Sequence, residues 1–317
     1  MTISGSFCKI YDKVSVRDRK EKPLHRSLRA RCCDGTRWIM KIGIRLHDMR
    51  NLPLNERLDE VNRQGFTCVH LALSKVIKDG PTGPEALTPG YAMHLRRLFD
   101  DKKIDIAVLG CYLNLANTNA ESLKEITDQY KAHIRFASLL GCGVVGTETG
   151  APNEEYRPEP ACRSKEALVT FINNLRPVVE YAEKMGVILA IEPVRRHIVY
   201  DAGRAREVLD QIDSPNLQII LDPVNLLDLD NYERQKEVVE EAIDLLGKDV
   251  AVVHIKDYLI KGDKLINAAA GTGRMDYTAL MKFIKARKPY IHATLEDTLP
   301  LNAVQAREHI QKLWKEA

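Results

Sequence analysis

The chain has 317 residues, 44% hydrophobic and 29% charged, with 47 Lys and Arg against 44 Asp and Glu, a formal charge of +3. That is an ordinary globular composition with length enough for a sizeable core. No run reaches the roughly 18 apolar residues of a membrane span, and no N-terminal apolar stretch marks a secretory signal.

The charge is unevenly placed. Residues 1–39 hold ten bases and four acids, so the remaining chain is net acidic at −3. Such a body is not built to seek nucleic acid. The seven cysteines are odd in number and form no C-x-x-C pair, which points to free thiols in a reducing, cytoplasmic setting.

Residues 1–39 show no helical or strand periodicity and read as an irregular basic extension. Regular structure begins with the alternating run Met40 to Leu46, so a single domain is expected over 40–317. From there β-rich runs alternate with longer segments of helical period. The strands are expected at 41–46, 66–72, 105–112, 143–147, 186–192, 217–222, 250–256 and 290–296. Several are apolar at consecutive positions, as strands buried on both faces should be. Helices are expected at 121–140, at 165–185 behind a Ser164 cap and kinked by Pro177, and at 231–246 stopped by Gly247. Eight βα units predict an α/β fold, a (β/α)8 TIM barrel. A doubly wound sheet would show a glycine-rich turn after its first strand, where this chain has Leu46-His47-Asp48-Met49-Arg50.

In such a barrel the chemistry belongs at the C-terminal ends of the strands. Strand five ends in Ala190-Ile191-Glu192-Pro193 and strand six in Ile220-Leu221-Asp222-Pro223. Strand seven carries Val252-Val253-His254-Ile255, and strand eight ends in Thr294-Leu295-Glu296-Asp297. Any one of these reads equally well as a solvated loop carboxylate or a satisfied core histidine. Four in successive strands, ~4.8 Å apart, aim at one point. Three carboxylates converging there repel unless a divalent cation neutralises them, with His254 as the fourth ligand. The donor set favours Mn2+, Mg2+ or Co2+ and leaves Zn2+ open.

The runs A-I-E-P, L-D-P-V-N, V-H-I-K-D and a strand ending in L-E resemble the xylose isomerase-like TIM barrels, from about Met40 to the end. That superfamily includes sugar phosphate isomerases and epimerases, ketose 3-epimerases, inosose dehydratase and endonuclease IV. The resemblance implies Glu192, Asp222, His254 and Glu296 as ligands of a single metal, with Glu192 and Glu296 also the acid/base pair.

Further candidates for substrate contact surround them. Asn225 stands where many relatives have a histidine, which leaves the substrate open. His197 follows Glu192 by five in a loop, and Lys256 shares the face of His254, with Asp257 beside it. His47, His70, Asn114 and Glu148 end strands one to four. Arg274, in Gly271-Thr272-Gly273-Arg274, is a candidate for a phosphate, although a tight turn satisfies the same glycines.

The expected activity is a metal-dependent isomerase or epimerase of a small sugar, sugar phosphate or polyol, with proton transfer through a metal-stabilised enediolate. The alternative is a lyase or dehydratase acting on a polyol or glycoside through the same ligands. An endonuclease IV-like enzyme is disfavoured, because Asn114 and Asn225 replace needed histidines and no Asp-x-His follows His254. Neither nucleic acid nor membrane is an expected partner. The resemblance implies a homodimer or homotetramer.

Overall fold

The computed structural model describes residues 40–78 and 80–317. The extension expected over 1–39 lies outside the described residues.

Eight parallel strands close into a barrel, in sequence order around the ring. In chain order the elements are β1 (Lys41–Arg45), α1 (Leu54–Arg63), β2 (Cys68–Leu71), the single turn α2 (Leu73–Val76), α3 (Pro89–Lys102), β3 (Asp105–Gly110) and α4 (Ala120–Leu140). They continue as β4 (Val144–Glu148), α5 (Lys165–Met185), β5 (Ile188–Glu192), α6 (Ala202–Ile212), β6 (Leu217–Leu221) and α7 (Gln235–Leu246). The chain ends with β7 (Val250–Ile255), β8 (Asp257–Lys261), β9 (Lys264–Ala268), α8 (Thr278–Arg287), β10 (His292–Leu295) and α9 (Ala303–Glu316). The closing pair is β1 with β10, in register from Lys41 opposite His292 to Ile44 opposite Leu295. The fold is therefore the expected (β/α)8 barrel, with β8 and β9 as an antiparallel hairpin inserted after β7.

Local chemistry explains the element ends. Ser164 accepts a hydrogen bond from the Ala167 amide and caps α5, and Asn119 caps α4 through the amides of Glu121 and Ser122. These side chains satisfy amides that lack a partner in the first helical turn.

Helix α5 runs from Lys165 to Met185, the expected bounds, with Pro177 inside it. Two details differ from expectation. Helix α7 starts at Gln235, behind a 3-10 turn at Tyr232–Arg234. Gly247 ends α7 with a right-handed φ of −55°, so it is not a left-handed stop. A side chain there would place Cβ 2.4 Å from the Ile243 carbonyl oxygen and 2.9 Å from Arg287. Close approach, and not conformational freedom, requires that glycine.

Inside the barrel the period of two along each strand stacks side chains in layers. A compact apolar plug of Cys68, Val108, Ala190, Ile220 and Val252 fills the interior. Two residues further along their strands, towards the C-terminal ends, stand His70, Glu192, Asp222 and His254. The plug is thus the floor on which the polar site rests.

Candidate metal centre at the barrel mouth

Strands β5, β6, β7 and β10 each deliver one polar side chain to the same point. Glu192, Asp222, His254 and Glu296 are all buried, and each offers a ligand atom within 4.8 Å of the others. His254 Nδ1 lies 3.2 Å from Glu192 Oε1 and 3.3 Å from Glu296 Oε1. Lys256 Nζ lies 2.9 Å from Asp222 Oδ2 and 3.5 Å from Glu296 Oε2. Ligands at ~2.1 Å from one divalent ion are separated by about 3 to 4 Å from one another. The cluster has that size, and its three carboxylates and one imidazole suit such an ion.

Electrostatics at the cluster is a contest between burial and charge. Burial pushes the Asp222 carboxyl up to about 6 despite Lys256 beside it. Burial works the same way on Glu296, but His254 and Lys256 outweigh it and hold that carboxyl well below the ordinary range. His254 is pushed up to about 9, because Glu296 and Glu192 overcome the burial that disfavours its charged form. The Lys256 ammonium is likewise kept above the ordinary lysine value by Asp222 and Glu296 against burial. A buried cluster of this sign demands cations.

The other half of the mouth supplies hydrogen-bonding groups. Burial pushes His70 down to about 4, so its imidazole is neutral at pH 7. Its ring stacks on His254 with centroids 5.2 Å apart. Nδ1 faces Glu296 Oε1 at 3.6 Å, and Nε2 lies 3.3 Å from the Tyr112 hydroxyl. A proton on Nδ1 suits the carboxylate and leaves Nε2 to accept from Tyr112. Burial and the nearby Glu192 and Glu296 raise the Tyr112 pKa well above its ordinary value, so its proton stays on. The Tyr112 ring has room because position 110 is glycine: a Cβ there would lie 2.6 Å from His70 Nε2 and 2.8 Å from the Tyr112 ring. Arg45, at the end of β1, reaches Glu296 at 3.4 Å and Asp297 at 2.9 Å.

Asn225 and Glu148 also reach this region. Asn225 donates from Nδ2 to Glu192 Oε1 at 2.7 Å. Its amide and that of Val224 donate to Asp222 Oδ1, which fixes that carboxylate's orientation. Glu148 is the register partner of Glu192 across β4 and β5. It accepts from the Tyr156 hydroxyl at 3.1 Å and faces His197 Nδ1 at 3.7 Å.

Other sequence candidates are placed elsewhere or serve the scaffold. Asn114 is buried and bonded to the backbone of Ala116, Ala151 and Asn153. His47 edges onto His70 with ring centroids 6.3 Å apart. Arg274 is exposed, with its backbone tied to Tyr258 and Gln235. The amides of Gly271, Gly273 and Met275 all donate to the buried carboxylate of Asp257. The glycine turn closes on that carboxylate and leaves those amides unavailable to a phosphate. Sequence reasoning missed Arg45, Tyr112 and Tyr156. The period of two carried a signal for Arg45, which shares its strand face with Gly43; Tyr156 sits in a loop and had none.

A family profile described as xylose isomerase-like TIM barrel matches residues 58–313. Over 138 residues the chain is 32% identical to a 3-oxo-isoapionate decarboxylase of Pectobacterium atrosepticum, an alignment covering 41% of this chain and 46% of that one. The match therefore spans about half the length of that relative. Among solved structures, a D-tagatose 3-epimerase-like protein superposes with a TM-score of 0.68 at 21% identity, covering 87% of this chain and 98% of the other. The IOLI protein with a bound zinc atom gives 0.67 at 18% identity, covering 87% and 99%. At these identities the likeness is one of fold.

Proposed function

We propose, from the premise that this chain belongs to the xylose isomerase-like TIM barrel family, that it is a divalent-metal-dependent isomerase or epimerase of a small sugar or sugar phosphate. The observation that carries this reading is the buried quartet of Glu192, Asp222, His254 and Glu296 within 4.8 Å of one another. These four residues would hold the ion. When bound, it supplies Lewis-acid stabilisation of negative charge developing on a substrate carbonyl oxygen. The donor set favours Mn2+, Mg2+ or Co2+, and the zinc in the IOLI protein keeps Zn2+ among the ions to test.

Glu192 and Glu296 project from the two ends of a four-strand arc and approach His254 Nδ1 from two sides. One carboxylate removes the proton from the carbon beside the carbonyl, and the other returns a proton. Delivery to the opposite face inverts that carbon; delivery to the neighbouring carbon interconverts aldose and ketose. Asn225 positions Glu192 through its 2.7 Å hydrogen bond. Lys256, Tyr112 and His197 offer donors to substrate oxygens, and Glu148 offers an acceptor.

The test is metal analysis of the purified protein, followed by a panel of ketoses and ketose phosphates in deuterated water. The expected result is one ion per chain and deuterium at the carbon beside the carbonyl. Glu192→Gln and Glu296→Gln should each abolish exchange, and near-normal exchange in both removes the acid/base assignment. A second reading, a lyase, is favoured by the sequence likeness to a decarboxylase. Release of carbon dioxide or of an enone, in place of an epimer, would select it.

A further inference from the structure

Glu296 stands at one end of the four-strand arc. Around the ring β10 lies between β7 and β1, so the other three residues of the quartet approach Glu296 from one flank only. The opposite flank belongs to Arg45, the last residue of β1. The pairing of β1 with β10 runs to Ile44 opposite Leu295, one residue short of both side chains. We infer that Arg45 is the positioning residue of Glu296, fixing that carboxylate as a metal ligand, and that the inserted hairpin of β8 and β9 holds Arg45 in place through Asp297. The inference rests on the metal reading of the quartet and not on the reaction assigned to it.

Three observations carry it. First, Glu296 is held differently from the other two carboxylates. Asn225 Nδ2 fixes Glu192, and the amides of Val224 and Asn225 fix Asp222. No amide among the described residues donates to the Glu296 carboxylate. Its Oε1 faces His254 at 3.3 Å and His70 at 3.6 Å, and its Oε2 faces Lys256 at 3.5 Å and Arg45 Nη1 at 3.4 Å. His254 belongs to the quartet itself, and Lys256 lies nearer to Asp222, at 2.9 Å. Arg45 is the remaining cation that can orient Oε2. Carboxylates that ligate a metal are themselves oriented by such outer partners.

Second, Arg45 is itself locked. Its Nε lies 3.0 Å from both oxygens of Asp48, in the 3-10 turn Leu46–Asp48 that follows β1. Its Nη2 donates to Asp297 Oδ1 at 2.9 Å. Each of the three guanidinium nitrogens therefore faces a different carboxylate. The side chains of Arg45, Asp48 and Asp297 are only 19, 9 and 27% exposed, so water screens these pairs less than it does surface ones. A planar fork held on two sides presents its third nitrogen in one direction.

Third, the chain departs from regular backbone at this point. Asp297 has a φ of +52°, in the left-handed region that non-glycine residues seldom adopt. Successive residues of an extended strand point to opposite faces. The left-handed step after β10 breaks that alternation and lets Glu296 and Asp297, adjacent in sequence, meet one guanidinium. Such a conformation persists where its surroundings over-determine it. Here the second restraint comes from the hairpin: Asn267 of β9 donates from Nδ2 to Asp297 Oδ2 at 3.0 Å. The hairpin inserted after β7 thus reaches the end of β10.

The experiment is calorimetric titration of the metal-free full chain with Mn2+, together with the visible spectrum of the Co2+-loaded protein, which follows the ligand set and its geometry. Wild type, Arg45→Lys and Asn267→Ala are compared, with circular dichroism of the metal-free proteins as the control for folding. Arg45→Lys keeps the charge but cannot span three carboxylates, so an effect on affinity reports the fork and not electrostatics. It should weaken Mn2+ binding by about 10- to 100-fold and alter the Co2+ spectrum, which a merely structural role would leave unchanged. Asn267→Ala, neutral and exposed, should act in the same direction by less. Unchanged Mn2+ affinity and Co2+ spectrum in folded Arg45→Lys overturn the clamp, and an unaffected Asn267→Ala removes the hairpin from it. Should Arg45→Lys not fold, Asn267→Ala decides alone. Wild type that binds neither ion would remove the metal reading and the clamp with it. Loss of deuterium exchange on every sugar, with Arg45-dependent metal binding intact, would count against the isomerase reading alone.

Discussion

The two ends of the barrel interior use the same residue types to opposite effect. At the closed N-terminal end Lys41, Asp105 and His292 meet, with Asp105 pairing both to Lys41 and, at 3.1 Å, to His292. At the mouth Lys256, Asp222, His254 and the two glutamates meet. The lower side chains are 30 to 45% exposed and the upper ones at most 6%. His292 opens β10, and Glu296 directly follows its last residue. Water screens the lower triad, so its ion pairs are worth at most about 1 kcal/mol. At the mouth the same kinds of charge are desolvated, and each carboxylate needs a cation. Burial, and not composition, separates a surface ion pair from a site.

The largest test of that contrast is chemical. Glu296→Gln should lower turnover by ~10²- to 10⁴-fold, the usual worth of a positioned acid or base. Asp105→Asn should leave turnover within about twofold, since it acts in solvent-screened surroundings at the opposite end. Steady-state rates of the two variants on the same sugar decide it, and equal losses would break the comparison. Metal removal comes next. Chelation of an ion present at a hundred times its Kd removes ~2.7 kcal/mol of stability. The wild-type melting temperature should therefore drop by several degrees on adding chelator, and that of Glu296→Gln by clearly less. An identical drop in both would place the ion elsewhere.

A smaller effect is expected from Asp257, which is buried at the mouth yet serves the scaffold. Its carboxylate accepts from the amides of Tyr258, Gly271, Gly273 and Met275 at 2.8 to 3.0 Å. Asp257→Ala leaves those donors without an acceptor and should destabilise the fold by about 3 kcal/mol, read from urea midpoints. Asp257→Asn keeps one oxygen and should cost less. A silent Asp257→Ala would mean that the loop closes without this anchor.

How much of this was legible follows the same divide between strand and loop. Glu192, Asp222, His254 and Glu296 end apolar strands, so fold and position could be read together from the period of two. Arg45 and Tyr112 obey the same alternation, but neither is a usual metal ligand, and no ligand pattern singled them out. Tyr156 lies in a loop that only tertiary packing brings to Glu148. The turn at Gly271 to Arg274 looked like a phosphate loop because glycines that free backbone amides serve a carboxylate as readily as a phosphate. The hairpin of β8 and β9 was missed although Gly262-Asp263 between alternating runs is a two-residue turn signal.

The smallest effect is the one at the closed end, and its pH dependence has a definite sign. Burial alone would raise the Asp105 carboxyl, but hydrogen bonds from Lys41 and His292 outweigh it and hold its pKa below the ordinary value. A carboxyl whose pKa is lower folded than unfolded contributes stability above the unfolded value of ~3.9, and loses it as pH falls through the folded value. With side chains this exposed the contribution is screened and stays under about 1 kcal/mol. Asp105→Asn should therefore lower the urea midpoint slightly at pH 7, and the gap to wild type should narrow as the pH falls below about 4. High salt should narrow it as well, because ions screen an exposed pair. A gap that survives both acid and salt would show that water does not reach the lower triad, and the contrast between the two ends would then rest on geometry instead of on burial.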